Sequence, residues 1–266
     1  MKPGCAIIRF DEIGIKAEHT RGEFVSLIAK QLKKLLPGSR LKISAYRIVI
    51  FSENAVKSAR LACKVFGVSS ASPAVMLERE IGAIKKAAKS FYKKGRKFRV
   101  SCQRSDKDFP LNSQEVCRAV GEYIYNRGGK VDLTNYDINI GIDFFLKKCF
   151  VYSEKFPGFG GLPVSSQGKI LCLMNNEDDY LACLMMMNRG CLPIVVGREK
   201  LYKKLAKHFP YLKIRYFDKV KYGDFLGAVS GNGLSKPVTG FECPVFYPLA
   251  FIGNSLAMEK FKSVNN

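Results

Sequence analysis

Apolar residues recur along this chain at two periods, and the order in which those periods alternate restricts the folds open to it. A short apolar run at 5–10, Cys-Ala-Ile-Ile-Arg-Phe, has the length of a strand. From Thr20 to Leu36 the positions Phe24, Leu27, Ile28, Leu32, Leu35 and Leu36 return every three or four residues, the spacing of one helix face, and Pro37-Gly38 stops the run. Leu41 to Ser52 reads as two strands broken near Tyr46, Glu53 to Phe66 as a helix stopped by Gly67, and an extended stretch leads to Val75. The order β-α-β-β-α-β is that of a ferredoxin-like module, expected over residues 1–74.

A second unit is expected over residues 75–162. Leu77 to Lys94 has a helical stripe of Ile81, Ile84, Ala88 and Phe91 opposite the solvated Lys85, Lys86, Lys89 and Lys93. Lys97 to Arg104 alternates Phe98, Val100 and Cys102 inwards with Arg99, Ser101 and Gln103 outwards, a strand. Asn112 and Ser113 suit the cap of a helix running to Asn126 before Gly128-Gly129. Strands follow at Ile138–Phe145 and Cys149–Phe156, and the Gly-, Pro- and Ser-rich segment Pro157 to Gly168 reads as an interdomain linker. Beyond it, strand and helix alternate (Ile170–Met174, Asp178–Arg189, Leu192–Val196, Arg198–His208, Lys213–Phe217, then Ala228 onward), the pattern of a parallel sheet covered by helices over residues 163–266. The fold class is therefore α+β followed by α/β.

Charge narrows the function. The chain has 44 Lys and Arg against 23 Asp and Glu, a formal net charge of +21. Between Arg79 and Lys107 there are 11 basic residues and only Glu80 and Asp106 in opposition. Such a concentrated excess, continuing from a helix through a strand into a loop, points to a phosphate backbone rather than a membrane surface. Arg99, Gln103, Arg104 and Lys107 project from the strand end and loop as phosphate contacts. Phe109 beside them either stacks on an unpaired base or plugs the core. The first ten residues carry no basic region followed by an apolar run, so a cytoplasmic location is expected. The nine cysteines are scattered without a CxxC pair and read as small buried apolar residues, with no metal expected.

In an open parallel sheet the first βα turn is where nucleotides sit. Here it reads Met174-Asn175-Asn176-Glu177-Asp178-Asp179-Tyr180, without glycine and with three consecutive acids that would repel phosphate. A capped helix start with no ligand is the plain reading; a site in which Mg2+ bridges Asp178 or Asp179 to phosphate is the other. His19 and His208 lie in no nucleophile or metal motif, and Cys243, within the loop segment Phe241-Glu242-Cys243-Pro244, is the thiol least readily read as inert and the first candidate for a catalytic role.

Three segments resemble the tRNA 4-thiouridine synthetase (tRNA sulfurtransferase) family over nearly the whole chain. Arg9-Phe10-Asp11-Glu12-Ile13-Gly14-Ile15-Lys16, with Arg21 and Phe24, is similar to the family's opening Glu-Ile-x-Leu-Lys signature, whose functional positions here are Glu12, Lys16 and Arg21. Cys102-Gln103-Arg104-Ser105-Asp106-Lys107-Asp108-Phe109-Pro110, continuing to Ser113 and Glu115, resembles the centre of a THUMP domain. Pro157-Gly158-Phe159-Gly160-Gly161-Leu162-Pro163-Val164 resembles the family's join between THUMP and catalytic domains.

The resemblance implies a ferredoxin-like domain, a THUMP domain that reads the tRNA acceptor region, and a truncated Rossmann-like PP-loop (ATP-pyrophosphatase) domain. Lys93, Lys97, Asn112, Ser113 and Arg118 complete the candidate RNA surface. The family's PP-loop, Ser-Gly-Gly-x-Asp-Ser, aligns with Met174 to Asp179, and only Asp178 matches. Asn175, Asn176, Asp178 and Asp179 thus form a degenerate nucleotide site, and no rhodanese-like carrier is expected within the sequence. The expectation is a tRNA-binding relative without ATP-dependent catalysis or cofactor, acting as a homodimer or beside a partner tRNA-modifying enzyme. The alternative is an active sulfurtransferase that uses ATP and Mg2+, with Cys243, Cys172 or Cys183 carrying sulfur.

Overall fold

A computed structural model of the chain describes residues 1–10, 12–44, 46–219, 225–233, 237–250, 259 and 261; Asp11 of the first motif lies outside them. The N-terminal portion runs β1 (Cys5–Arg9), α1 (Glu18–Leu35), β2 (Arg40–Ile43), β3 (Arg47–Phe51), α2 (Ala55–Ala62) and β4 (Ser70–Leu77). It continues through α3 (Ile81–Phe91), β5 (Lys97–Arg104), α4 (Ser113–Tyr125), β6 (Lys130–Val131), β7 (Ile138–Phe145), β8 (Lys148–Tyr152) and β9 (Phe156–Pro157).

All of these strands belong to one sheet, in the order β2-β3-β1-β4-β8-β7-β5-β6 with β9 beside β4. β4 makes the two expected units continuous. Its first half pairs with β1 (Ala74 opposite Cys5) and its last residues pair with β8 (Leu77 opposite Cys149). The helix expected from Leu77 accordingly begins only at Ile81, because residues 75–77 are committed to that ladder. It ends at Phe91, so Lys93 lies in the turn before β5 rather than on a helix face.

Side chains alternate across a strand, so β4 also fixes which face the helices cover. Ala71 joins the core beneath α1 and α2, and Leu77, six residues on, packs on the core beneath α3 and α4. An even separation places both on one face, so all four helices share it. The opposite face curls inward. Arg47 on β3 donates to Gln103 Oε1 on β5 at 2.9 Å, although five strand spacings, about 24 Å on a flat sheet, separate them. Inside this curl Arg9 donates to Ser72 Oγ at 2.9 Å and to Asp143 Oδ2 at 3.1 Å, and Tyr152 donates to Asp143 Oδ1 at 3.1 Å. Burial and the Asp143 charge push the Tyr152 hydroxyl up to about 12.

The remainder forms a second sheet from β10 (Lys169–Met174), α5 (Glu177–Asn188), β11 (Leu192–Gly197), α6 (Glu199–His208), β12 (Arg215–Phe217), β13 (Ala228–Val229) and β14 (Val245–Phe246). Its strands are parallel in the order β12-β11-β10-β13-β14. The chain order reverses beside β10, which places a topological switch point between β10 and β13.

The segment Pro157–Gly168 is not a linker. Phe159 is 2% exposed, Leu162 8% and Val164 0%, and the Phe159 ring stacks on Phe66 at 4.8 Å and lies 5.9 Å from Phe209. Gly67 N donates to Gly160 O, Leu162 N to Asn188 O, and Asn188 Nδ2 to the carbonyls of Phe159 and Gly160. Gly161 adopts φ +69°, and a Cβ there would lie 2.2 Å from Asn188 O, so the close approach requires glycine. One core therefore runs from Ile8, Phe24 and Ile28 through Phe66 and Phe159 to Cys172, Leu181 and Val195.

Candidate nucleic-acid interface and switch-point crevice

β5 positions the basic candidates, and its length divides them. Lys93 and Lys97 stand at its start, whereas Arg104, Lys107, Phe109, Asn112 and Ser113 gather at its far end, about 23 Å away at the rise of an extended strand. Arg118 lies exposed along α4. The ten residues thus form two basic groups joined by the strand, not one cluster.

At the start of β5, Lys97 is held by Asp132 at 2.9 Å, a bond that raises the lysine and holds the Asp132 carboxyl down at about 2. Lys86, Lys93 and Lys94 are exposed and have no carboxylate partner among the described residues. Arg99 lies on the opposite face from the helices, bonded to Asn139 Oδ1 at 3.2 Å with its guanidinium 4.0 Å from the Tyr136 ring. Gln103 accepts from Arg47.

At the far end the loop 104–109 is organised from within. Arg104 Nη2 donates to the carbonyls of Lys107 at 2.6 Å and Phe109 at 2.9 Å, so this guanidinium shapes the loop instead of standing free in solvent. Phe109, partly buried, stacks on Phe144 at 4.8 Å and packs on the α3/α4 core. Asp108 accepts from Arg79 Nη1 at 2.5 Å and from Lys147 Nζ at 2.6 Å, and these two cations hold its carboxyl well below the ordinary range. Lys107 remains exposed without a carboxylate partner among the described residues. Asn112 caps α4 with a reciprocal bond from Asn112 N to Glu115 Oε2 at 2.7 Å, a capping box. The pairing of Asp108 with Arg79 and Lys147 joins residues 29 and 39 positions apart, and no sequence signal marks it.

In the N-terminal motif Glu12 lies 3.8 Å from Arg189 at the end of α5. Arg21 donates to Lys16 O at 3.2 Å and sits 4.7 Å from the Tyr46 ring. These contacts tie the loop after β1 to its surroundings and leave Lys16 exposed.

At the switch point Asn176 caps α5, accepting from Asp179 N at 2.9 Å. Asp179 is 3% exposed. Its Oδ2 accepts from Asn175 N at 2.9 Å and Asn176 N at 3.2 Å; its Oδ1 accepts from Ser230 Oγ at 3.1 Å and Gly231 N at 2.7 Å. Beneath it, burial and the neighbouring Cys183 push the Cys172 thiol far up. Cys243 packs against Leu171, Leu173 and Ala228 on the other face of the sheet. Among the described residues no group of three or more His, Cys, Asp or Glu side chains could hold a metal, and no helix is long and apolar enough to cross a membrane.

A THUMP domain model matches residues 81–154. A probable tRNA sulfurtransferase of Thermococcus kodakarensis is 34% identical over 225 residues, covering 78% of this chain and 59% of that protein. Its counterpart in Methanocaldococcus jannaschii is 34% identical over 218 residues, 76% and 57% respectively. The chain thus spans less than two thirds of the length of these relatives. The crystal structure of PH1313 from Pyrococcus horikoshii superposes with TM-score 0.84 at 27% identity, covering 99% of this chain and 100% of that one. A 4-thiouridine synthetase, solved with RNA and bound ATP, has the same fold at TM-score 0.76 and 18% identity, covering 99% and 85%.

Proposed function

From this kinship, a THUMP-bearing chain homologous to tRNA sulfurtransferases along most of its length, we propose that the protein binds the acceptor region of tRNA and does not itself perform ATP-dependent chemistry. It serves tRNA thiolation or a related modification as an accessory, as a homodimer or with a partner enzyme. The observation that carries the binding half is the THUMP unit with Lys86, Lys93, Lys94 and Lys107 exposed and without carboxylate partners among the described residues. Unpaired lysines release counterions on contact with phosphate, and each gives the affinity a dependence on salt.

The absence of catalysis is supported by Asp179. The amides of Asn175, Asn176 and Gly231 at this turn already donate to its carboxylate, so they are not free for a phosphate. Sulfur relay needs a thiolate, and burial keeps Cys172 protonated. Incubation with tRNA, ATP, Mg2+ and a persulfide donor is expected to yield no AMP above background. tRNA-dependent AMP formation would establish the alternative, an active sulfurtransferase. Filter binding is expected to rank tRNA above a random RNA duplex; equal retention of the two would refute the binding half.

A further inference from the structure

The inner face of the curled sheet holds a cavity away from the basic loop and the switch point. The curl brings β2 and β8, four strand spacings or about 19 Å apart on a flat sheet, to opposite walls of a space of about 280 Å3. Its floor is hydrocarbon. Val49 and Phe51 on β3 lie opposite Lys42 and Arg40 on β2, and Met76 on β4 lies opposite Phe150 on β8, all turned to this one space. Met76 is 39% exposed, a large apolar side chain left in solvent beside the partly buried Phe51. Leu146 closes one side. It and Lys147 are the loop residues of the β7–β8 hairpin, with φ of 53° and 56°, a turn that ordinarily takes asparagine and glycine. Lys147 N donates to Asp106 Oδ2 and its Nζ to Asp108 Oδ2, both at 2.6 Å, and these bonds hold the turn with Leu146 over the cavity.

The rim is cationic: the charged side chains that line the cavity are Arg40, Lys42 and Lys148. Lys148 is paired with Glu78, whereas Arg40 and Lys42 are exposed and have no carboxylate partner among the described residues. The Arg40 guanidinium stands 4.4 Å from the centre of the Phe51 ring, at the border between floor and water. Among the described residues no Asp, Glu, Asn, Gln, Ser or Thr lines the cavity, so a nucleobase would leave its hydrogen-bonding edge without a side-chain partner there. We propose that this cavity binds a free, water-soluble acid with a hydrocarbon body, of the class of medium-chain carboxylates. The body lies on Val49, Phe51, Met76 and Phe150, and the carboxylate meets Arg40 and Lys42. At about 30 Å3 per heavy atom, the share of a water molecule in the liquid, the space takes about nine or ten, the size of an eight-carbon acid. Apolar burial supplies the affinity, and the two cations select the sign of the head group.

The test is an NMR titration of the full chain labelled at its methionine methyls, with the Met76 signal assigned by its loss in Met76→Gln. The ionic strength is about 0.15 M, which screens diffuse attraction to the net charge. Octanoate should move the Met76 methyl saturably, with a dissociation constant of about 1 mM or tighter for a ligand of this size. Octylammonium (same body, opposite head), acetate (head without body) and uridine 5′-monophosphate should each bind at least about tenfold more weakly. The double variant Arg40→Gln, Lys42→Gln should melt with the wild type and bind octanoate about tenfold more weakly. If it unfolds, Lys42→Gln alone is read in its place, with a loss of about threefold. A Met76 methyl that octanoate leaves unmoved, octylammonium bound as tightly, the nucleotide bound more tightly, or a folded rim variant with wild-type affinity would overturn the proposal.

Discussion

Arginine 104 offers the sharpest separation between shaping an RNA-binding loop and touching RNA. Its guanidinium makes two charge-assisted hydrogen bonds to the carbonyls of Lys107 and Phe109. In a half-exposed setting each contributes about 1 kcal/mol, so Arg104→Ala removes about 2 kcal/mol of loop order. If RNA binds the ordered loop, that order must be restored on binding, and the ceiling on the loss of affinity is roughly 30-fold at about 1.4 kcal/mol per tenfold. The stacking of Phe109 on Phe144 retains part of the loop, so a loss of about tenfold is expected. The assay is a tRNA titration repeated from about 50 to about 200 mM salt. Since Arg104 reaches no phosphate in this account, the slope of log affinity against log salt should be unchanged, whereas Lys107→Ala should lower it by about 0.7 to 0.9. A slope lowered by that amount in Arg104→Ala would refute the assignment and make Arg104 a direct contact.

Three further outcomes follow from the fold. Phe159→Ala removes a ring packed among Phe66, Phe209 and Phe261 and should cost about 3–5 kcal/mol in urea unfolding; a loss under about 1 kcal/mol would return the segment to the status of a linker. His208 accepts from or donates to the Tyr180 hydroxyl at 2.7 Å, and burial together with Lys204, Lys64 and Lys207 lowers its folded pKa below the ordinary value. A lowered folded pKa means that its contribution is complete above about pH 6.5 and is lost as pH falls through the folded value. The melting temperature should therefore drop between about pH 7 and pH 5 more steeply in the wild type than in His208→Gln, and parallel curves would refute this. Ellman's reagent at about pH 8 should label Cys243 before Cys5, Cys63 and Cys102, whose thiols burial pushes up to about 12, 11 and 12; equal rates would show that burial does not protect them.

What the sequence made legible were elements whose residues had one structural option. Lys97–Arg104 alternates from Phe98 to Gln103, and it and Ile138–Phe145 occur with the bounds expected from the sequence. The Asn112 cap and the strand–helix alternation after Ile170 were equally plain. Leu77 was ambiguous: it continues the helical stripe of α3 and also the alternation of β4, and only the pairing with Cys149 decides. Pro157–Gly168 misled because glycine and proline mark backbone conformation, not exposure. Its Phe159, Leu162 and Val164 were the signal of burial. At the crevice, three acids in a row say that phosphate is unwelcome, but not that one of them turns inward. The available hint was Asn176 followed by Asp179 three residues later, the spacing of a capping box. Its bonds to Ser230 and Gly231, 51 and 52 residues away, could be seen only in the fold.

The most direct test of the account is a tRNA titration of the quadruple variant Lys86→Ala, Lys93→Ala, Lys94→Ala, Lys107→Ala beside the wild type across a salt series. Removal of four phosphate contacts should lower the salt slope by about 3 and weaken binding at low salt by orders of magnitude, with melting unchanged. A variant that binds tRNA with the wild-type slope and affinity would contradict the claim that this THUMP surface grips the RNA.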